Sequence, residues 1–289
     1  MSKKIIVLGS NGMAGHIITK GLKEVEIFDV ISVARNASII SPTKILDVTD
    51  FIKLKSLIES EVPDIIINCI GILNETAENN PDQAILTNSY LPHFLEAITK
   101  GSLIKVIHIS TDCVFSGNDG NYVESSFKNG SGFYSQSKSL GELNNTKDLT
   151  LRTSIIGPEL NKDGIGLFHW LANQKNEING YSEAYWTGVT TIELLSAIKQ
   201  AIDEDLSGLY HLVFDRKISK LELLNIINVE FSLGLKIIPS YKYSVDKSLI
   251  NTRRDFGFKV KSYEVMIKEM HMWILMNKEL YPHYSGKLF

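Results

Sequence analysis

The sequence predicts an α/β fold, a doubly wound parallel sheet with a smaller, mixed α/β part towards the C-terminus. Three observations predict it. Short apolar runs recur at Ile5–Leu8, Ile27–Val33, Ile65–Ile67 and Lys105–Ser110, each the length of a strand buried on both faces. Helical patterns alternate with them, which is the signature of parallel strands joined by crossovers. The first run ends at once in Gly9-x-x-Gly12-x-x-Gly15, and an amphipathic stretch (Ala14, Ile17, Ile18, Leu22) follows. Strand, glycine turn and helix in that order suit a dinucleotide: the glycines admit its pyrophosphate, and free N–H groups at the helix start meet the charge. Asn11 and Met13 lie in the same turn.

Composition excludes several classes. The 289 residues suffice for one large domain or two closely joined ones. A hydrophobic fraction of 44% and a charged fraction of 22% are those of a globular protein, and a net charge of −3 offers no field for nucleic acid or an anionic membrane. No apolar run approaches a membrane span, and the N-terminal run is too short for a signal peptide. Two cysteines, Cys69 and Cys113, make neither a disulfide framework nor a metal site. The chain reads as cytoplasmic, a monomer or homodimer, with no metal.

The elements follow in order. The strand Ile27–Val33 runs into Ala34-Arg35-Asn36, and Arg35 stands where an NAD site carries a carboxylate for the ribose 2′-hydroxyl. A guanidinium suits a 2′-phosphate, so NADP(H) is the expected cofactor. Lys44–Asp47 is a third strand, and Asp50 caps the helix Phe51–Ser60. Asp47 and Val48 either approach an adenine or form a turn. Pro63-Asp64 starts the fourth strand, Ile65–Gly71, whose end (Asn68, Cys69, Ile70, Gly71) lies at the edge where such sheets bind ligands. Cys69 also reads simply as a small buried residue. Asn80-Pro81 opens a helix with a capping side chain and proline at the first position; it runs to about Lys100 and bends at Pro92. His108, inside the fifth strand, reads as a hydrogen-bonded structural histidine.

The second half is less regular. Leu149–Ile156 continues the sheet to Gly157-Pro158, and Tyr210–Phe214 is another strand. Residues 161–191 carry Trp170, Tyr181, Tyr185 and Trp186 with no sustained period and could wall the cofactor site. Tyr263–Met276 is helical, its methionines Met266, Met270, Met272 and Met276 expected to face the core. The expected division is a Rossmann-type NADP-binding domain over 1–156, to which about 186–214 returns, and a mainly substrate-binding part over 157–289.

The chemistry concentrates after the fifth strand, in Ser110-Thr111-Asp112-Cys113, and in Tyr134-x-x-x-Lys138. Residues four apart share a helix face. A carbonyl reductase needs a proton donor for the forming alkoxide, and a tyrosine at its free pKa of about 10 holds its proton too tightly. A neighbouring ammonium that lowered it by about three units would supply roughly 4 kcal/mol. Thr111 can hydrogen-bond the substrate carbonyl. Alone the Tyr/Lys spacing means little, and Tyr243–Lys247 is a chance match of the same form.

Four segments together carry a resemblance: Gly9-x-x-Gly12-x-x-Gly15, Ser110–Gly117 (STDCVFSG), Tyr134-x-x-x-Lys138 with Ser137 and Glu142, and Leu151–Pro158 (LRTSIIGP). The chain resembles the extended short-chain dehydrogenase/reductases, within them the dTDP-4-dehydrorhamnose reductase-like group, over most of its first 160 residues. The resemblance implies NADPH-dependent reduction of the 4-keto group of a nucleotide-linked 6-deoxyhexose, in cell-surface polysaccharide precursor synthesis. It implies Thr111, Tyr134 and Lys138 as the catalytic set, with Ser110, Asp112 and Cys113 beside the substrate. Two departures stand out: Cys113 replaces a tyrosine, and no aromatic stands near Ile155–Ile156 to pack on the substrate base. Trp186 is the candidate to complete the pocket instead, and a UDP-linked acetamido sugar rivals a dTDP-linked one. Asp112-Cys113 in place of Asp-Glu disfavours a 4,6-dehydratase, and Arg35 fits an NAD-retaining epimerase poorly. A catalytically silent nucleotide-binding subunit is the reading from another class, and the intact Thr111, Tyr134 and Lys138 oppose it.

Overall fold

The computed structural model describes residues 2–40 and 42–288. Twelve strands are formed among the described residues. They are β1 (Lys3–Leu8), β2 (Phe28–Ala34), β3 (Thr43–Ile45), β4 (Ile65–Asn68), β5 (Lys105–Thr111), β6 (Leu149–Thr153), β7 (Ile155–Ile156), β8 (Glu177–Trp186), β9 (Val189–Thr190), β10 (Gly208–His211), β11 (Ile218–Ser219) and β12 (Lys236–Asp246). Seven of them make one sheet in the order β3-β2-β1-β4-β5-β6-β10, every pair parallel. The order reverses between β1 and β4, and a ligand crevice belongs outside the carboxyl ends of those strands. Ile5, Ile6, Val7 and Leu8 are fully buried, as a strand covered on both faces requires.

The helices are α1 (Met13–Lys23), α2 (Phe51–Glu61), α3 (Asn74–Asn79), α4 (Pro81–Ala84), α5 (Leu91–Ile98), α6 (Gly132–Leu140), α7 (Leu167–Ala172), α8 (Thr191–Asp203), α9 (Lys220–Glu230) and α10 (Tyr263–Met276). Asp50 caps α2, its carboxylate accepting from the Lys53 N–H at 3.1 Å. α8 and α9 are capped in the same way by Thr190 and Ser219, the latter in a reciprocal capping box with Glu222. α8 lies close on α1: a Cβ on Gly21 would meet Leu195 at 2.1 Å.

The structure corrects five expectations. Asn80 does not cap the helix after it; its amide donates to the Thr76 carbonyl, closing α3, which had no counterpart in the sequence reading. The helix from Pro81 is interrupted by a π-helical stretch, Ile85–Tyr90, and ends at Ile98 rather than Lys100. Pro92 lacks the N–H that would close an α-turn onto Asn88, which a wider turn accommodates. The strand expected over Leu149–Ile156 breaks at Ser154, and its last two residues pair with β9 instead. The stretch without period contains the ten-residue strand β8, which pairs with β11 and β12 in a three-stranded sheet. Met266 and Met270 face the core, but Met272 and Met276 are 49% and 68% exposed, because positions two and six beyond Met270 turn away from α9.

One interaction fixes α6 on the sheet. Glu142, just beyond α6, takes Arg152 of β6 in a two-point grip, Nε to Oε1 at 2.8 Å and Nη2 to Oε2 at 2.6 Å, both side chains 1% exposed. Arg152 Nη1 also donates to His211 Nε2 at 2.7 Å, and His211 Nδ1 donates to the Ile250 carbonyl at 2.9 Å. Burial alone would raise the Glu142 carboxyl; the Arg152 hydrogen bonds and charge, with Ser110 and Lys128, hold it below the usual carboxylate range. Its stabilising contribution is therefore complete above the unfolded-state pKa and disappears as pH falls through the lower folded value.

Arg152→Leu leaves the buried Glu142 carboxylate with only Ser110 and Lys128 as partners, and an unfolding free energy lower by about 3–5 kcal/mol is expected in urea titration at pH 7. The double variant Arg152→Leu/Glu142→Leu should regain most of that loss; equal stabilities of the single variant and the parent chain would refute it.

Candidate active site

The glycine turn is built as a cradle. Gly9 takes φ +81°, and a Cβ on Gly15 would stand 2.0 Å from the Gly9 carbonyl oxygen, a clash with backbone that only glycine avoids. The Gly12 N–H closes the turn onto the Gly9 carbonyl at 2.9 Å. Gly12 has no side chain to cap α1, so the first-turn N–H groups stay open to an anion. Asn11 Nδ2 donates to the Asn36 carbonyl at 3.0 Å, and Asn11 Oδ1 is buried with no partner among the described residues. An orphaned acceptor beside a side-chain-free turn fits a dinucleotide. The Met13 side chain reaches Gly166, the cap of α7, so the irregular segment does wall this turn.

Around the cradle the other expected residues divide. Arg35 and Asn36 are exposed at the carboxyl end of β2. Asp47 forms a turn, its carboxylate accepting from the Thr49 N–H and hydroxyl at 3.0 and 2.7 Å, while Val48 is buried. The Thr49 hydrogen bonds hold Asp47 below the usual carboxylate range. Ile70 packs against Gly9, and burial pushes the Cys69 thiol up to about 12. At Gly71 a Cβ would lie 3.6 Å from Asn88 Oδ1 and 4.0 Å from Lys138 Nζ, so its bare backbone leaves room beside the lysine.

Thr111 ends β5, and α6 presents Tyr134 and Lys138 to it. The Thr111 hydroxyl lies beside the Tyr134 phenol, accepts from the Cys113 N–H at 3.1 Å and donates to Asp112 Oδ1 at 3.1 Å. Lys138 is 4% exposed; its Nζ donates to the Ile109 carbonyl at 2.7 Å and stands 3.3 Å from His108 Nε2. The lowered phenol expected from the Tyr/Lys spacing is not formed in this state. Burial, with Cys113 and Asp112 adding to it, raises Tyr134 above its usual range, and burial pulls Lys138 down to about 8. The physical reason is competition: backbone and imidazole hold the amine.

Ser110 was expected at the substrate, and the structure corrects this. Its hydroxyl is buried and donates to Glu142 Oε1 at 2.6 Å, so it serves the ion pair. Asp112 and Cys113 do face a cleft of about 450 Å³, together with Ser154, Trp170, Tyr181, Trp186, Lys220, Tyr243 and Lys247. Trp186, only 3% exposed, reaches the cleft as a platform with Lys220 Nζ 5.0 Å above its ring. Tyr181 and Tyr243 pair at 5.4 Å between centroids, 41% and 50% exposed. Cys113, Tyr134 and Lys247 also line an adjoining hollow of about 350 Å³. Burial pushes the Cys113 thiol up to about 11, which keeps it protonated, and brings Lys220 down to about 8.

Sequence reasoning missed Lys220 and Lys247. Nothing local marks Lys220, whose only signal is the capping Ser219 before it. Tyr243–Lys247 was set aside as a chance helical spacing; it is not helical, yet β12 and the residue after it bring both side chains to the cleft. Asn88 was missed as well. From the π-helical stretch it binds the Ile72 backbone at both N–H (2.8 Å) and carbonyl (2.9 Å) and donates to Ser137 at 3.0 Å, tying α6 to the loop after β4.

Comparison with known proteins adds the following. The family model described as the RmlD substrate binding domain matches residues 3–244. A probable low-salt glycan biosynthesis reductase, Agl14, of Haloferax volcanii is 29% identical over 224 residues, 71% of this chain and 72% of that protein. A dTDP-4-keto-6-deoxy-D-glucose reductase of Streptomyces niveus is 24% identical over 221 residues, 73% of each chain. Among solved structures, a dTDP-4-dehydrorhamnose reductase of Bacillus anthracis in complex with NADP superimposes with a TM-score of 0.81 at 21% identity, covering 94% of this chain and 99% of that one.

Proposed function

The chain belongs to the RmlD substrate binding domain family, and from that membership and its site we propose that it reduces the 4-keto group of a nucleotide-activated 6-deoxyhexose with NADPH. The observation that carries the proposal is the placement of Tyr134 beside Thr111, one helical turn from Lys138, in a hollow that adjoins the cleft lined by Lys220 and Lys247. The reductase relatives support the chemistry, and the NADP-bound neighbour supports the cofactor.

The dinucleotide, when bound, supplies the hydride. Gly9, Gly12 and Gly15 would receive its pyrophosphate, Asn11 Oδ1 a polar group beside it, and Arg35 a 2′-phosphate. Tyr134 stays protonated through the neutral range because burial raises it, and it delivers that proton to the substrate oxygen as negative charge develops there. Thr111 turns its hydroxyl from Asp112 to the same oxygen and holds the carbonyl against the phenol. Lys220 and Lys247 suit a diphosphate, while Tyr181, Tyr243 and Trp170 offer ring faces to a base or sugar. Those rings stand in for the aromatic missing near Ile155–Ile156, so a UDP-linked sugar fits as readily as a dTDP-linked one.

Three measurements test the proposal. NADPH oxidation against freshly generated dTDP- and UDP-4-keto-6-deoxysugars should show turnover with at least one, and Tyr134→Phe should abolish it with NADPH affinity within about twofold; full turnover in the variant would defeat the assignment. Arg35→Asp should cost NADPH about 10- to 100-fold in affinity, as expected for loss of charge-assisted hydrogen bonds, while NADH is little affected. Lys220→Met should raise KM for the nucleotide sugar about tenfold or more with cofactor binding intact; an unchanged KM would remove Lys220 from the substrate site.

A further inference from the structure

Among the described residues the buried carboxylates are Asp112, Glu142, Asp148 and Glu193. Three of them hold a cation: Glu142 has Arg152 at 2.6 Å, Asp148 has Lys147 at 3.2 Å and Glu193 has Lys261 at 3.4 Å. Asp112, 6% exposed, has no ion-pair partner among the described residues. It receives the Thr111 hydroxyl at Oδ1 at 3.1 Å, and the Cys113 thiol lies beside it. A buried carboxylate so thinly compensated is costly to keep charged.

The charges that favour its ionised form stand farther off across the cleft, Lys220 at the start of α9 and Lys247 just after β12. Burial outweighs them and raises the Asp112 carboxyl above the usual range. The other titratable neighbours are neutral: Cys113 keeps its proton, and so does Tyr134 on α6. A nucleotide diphosphate entering the cleft would engage both lysines. It would withdraw their attraction from Asp112 and set further negative charge beside it.

The consequence falls on Thr111, whose hydroxyl has one proton to give. Its oxygen accepts from the Cys113 N–H at 3.1 Å, and its proton goes to Asp112. An ionised carboxylate can only accept, so it keeps that proton engaged. A protonated one donates, and the Thr111 oxygen has a second lone pair to receive it. The Thr111 proton is then free for a substrate carbonyl. We propose that Asp112 is a positioning residue that takes up one proton when a nucleotide diphosphate enters the cleft, and so turns the Thr111 hydroxyl to the substrate. An O–H bond forms at the carboxyl with a proton from solvent and breaks when product leaves. The proton delivered to the substrate oxygen still comes from Tyr134. The half of the substrate that does not react thereby sets the group that holds the reacting carbonyl.

The proposal rests on the reading of the cleft as a nucleotide-sugar site, and its test needs no turnover. The probes are dTDP-glucose and UDP-glucose, which carry no keto group. Carbon NMR of the full chain with 13Cγ-labelled aspartate, assigned through Asp112→Asn, reports the Asp112 titration. Its midpoint should rise by about one unit or more when either sugar nucleotide is bound, and Lys220→Met should raise it in the free protein. Affinity for the sugar nucleotide should fall as pH rises between the free and bound midpoints, by at most about tenfold per pH unit. Asp112→Asn, whose amide donates to Thr111 at every pH, should lose that dependence. An Asp112 midpoint unmoved or lowered by a bound sugar nucleotide overturns the proposal. So does a wild-type affinity that is flat with pH below neutrality, a measurement that stands even if a variant fails to fold. If neither sugar nucleotide binds, the reading of the cleft fails and the proposal with it; if one binds and Asp112 does not respond, the proposal alone fails.

Discussion

The buried pair between Glu142 and Arg152 is the constraint on which the site depends. Arg152 is among the largest fully buried side chains, and it is tolerated there because Glu142, His211 and the Glu124 carbonyl take its donors while Phe115 lies 5.0 Å from its guanidinium. Through these partners one guanidinium joins α6, β6, β10 and the chain near Ile250. Ser110 completes the grip from β5. Thr111 is the next residue along that strand, and Lys138 lies one turn before Glu142, so the residues proposed as catalytic are held by an ion pair that does not line the cleft.

The dinucleotide cradle depends on the far end of the chain in a similar way. His16, in the first turns of α1, donates from Nδ1 to the Gly12 carbonyl and accepts at Nε2 from the Tyr281 hydroxyl at 2.8 Å. That hydroxyl in turn accepts from Trp273 Nε1 at 3.0 Å. Burial brings His16 down to about 4, which keeps it neutral and able to accept. A single apolar core runs from Ile5 and Val7 through α8 and α10 to Tyr284, so the nucleotide-binding half and the C-terminal segment share one interior.

The electrostatics of the cleft follow from depth. Tyr134, Cys113 and Asp112 are all raised by burial, whereas Lys138 and Lys220 are lowered by it. Burial thus presses each group towards its neutral form. A site of this kind binds an anion by recovering charge on its lysines, and it keeps proton donors loaded near neutrality.

What the sequence determined by itself were the features written in neighbouring residues: the buried strand before Gly9, the glycine spacing, the alternation that makes a parallel sheet, the Asp50 cap, the Tyr263–Met276 helix and the conjunction of Thr111 with Tyr134 and Lys138. Local sterics and periodicity decide these, and both can be read along the chain. Tertiary structure alone decided the rest. Ser110 turned from substrate to structure because Glu142, 32 residues away, claims its hydroxyl. Lys220 and Lys247 gained meaning because α9 and the end of β12 converge on Asp112 and Cys113. His108 is the hydrogen-bonded core histidine that its place in the strand suggests, but its partners, Asn68 on the neighbouring strand and Lys138 on α6, are set by the fold. In each case the deciding partner is remote in sequence, and a hydrogen bond or a buried charge takes its sign from the partner that folding brings to it.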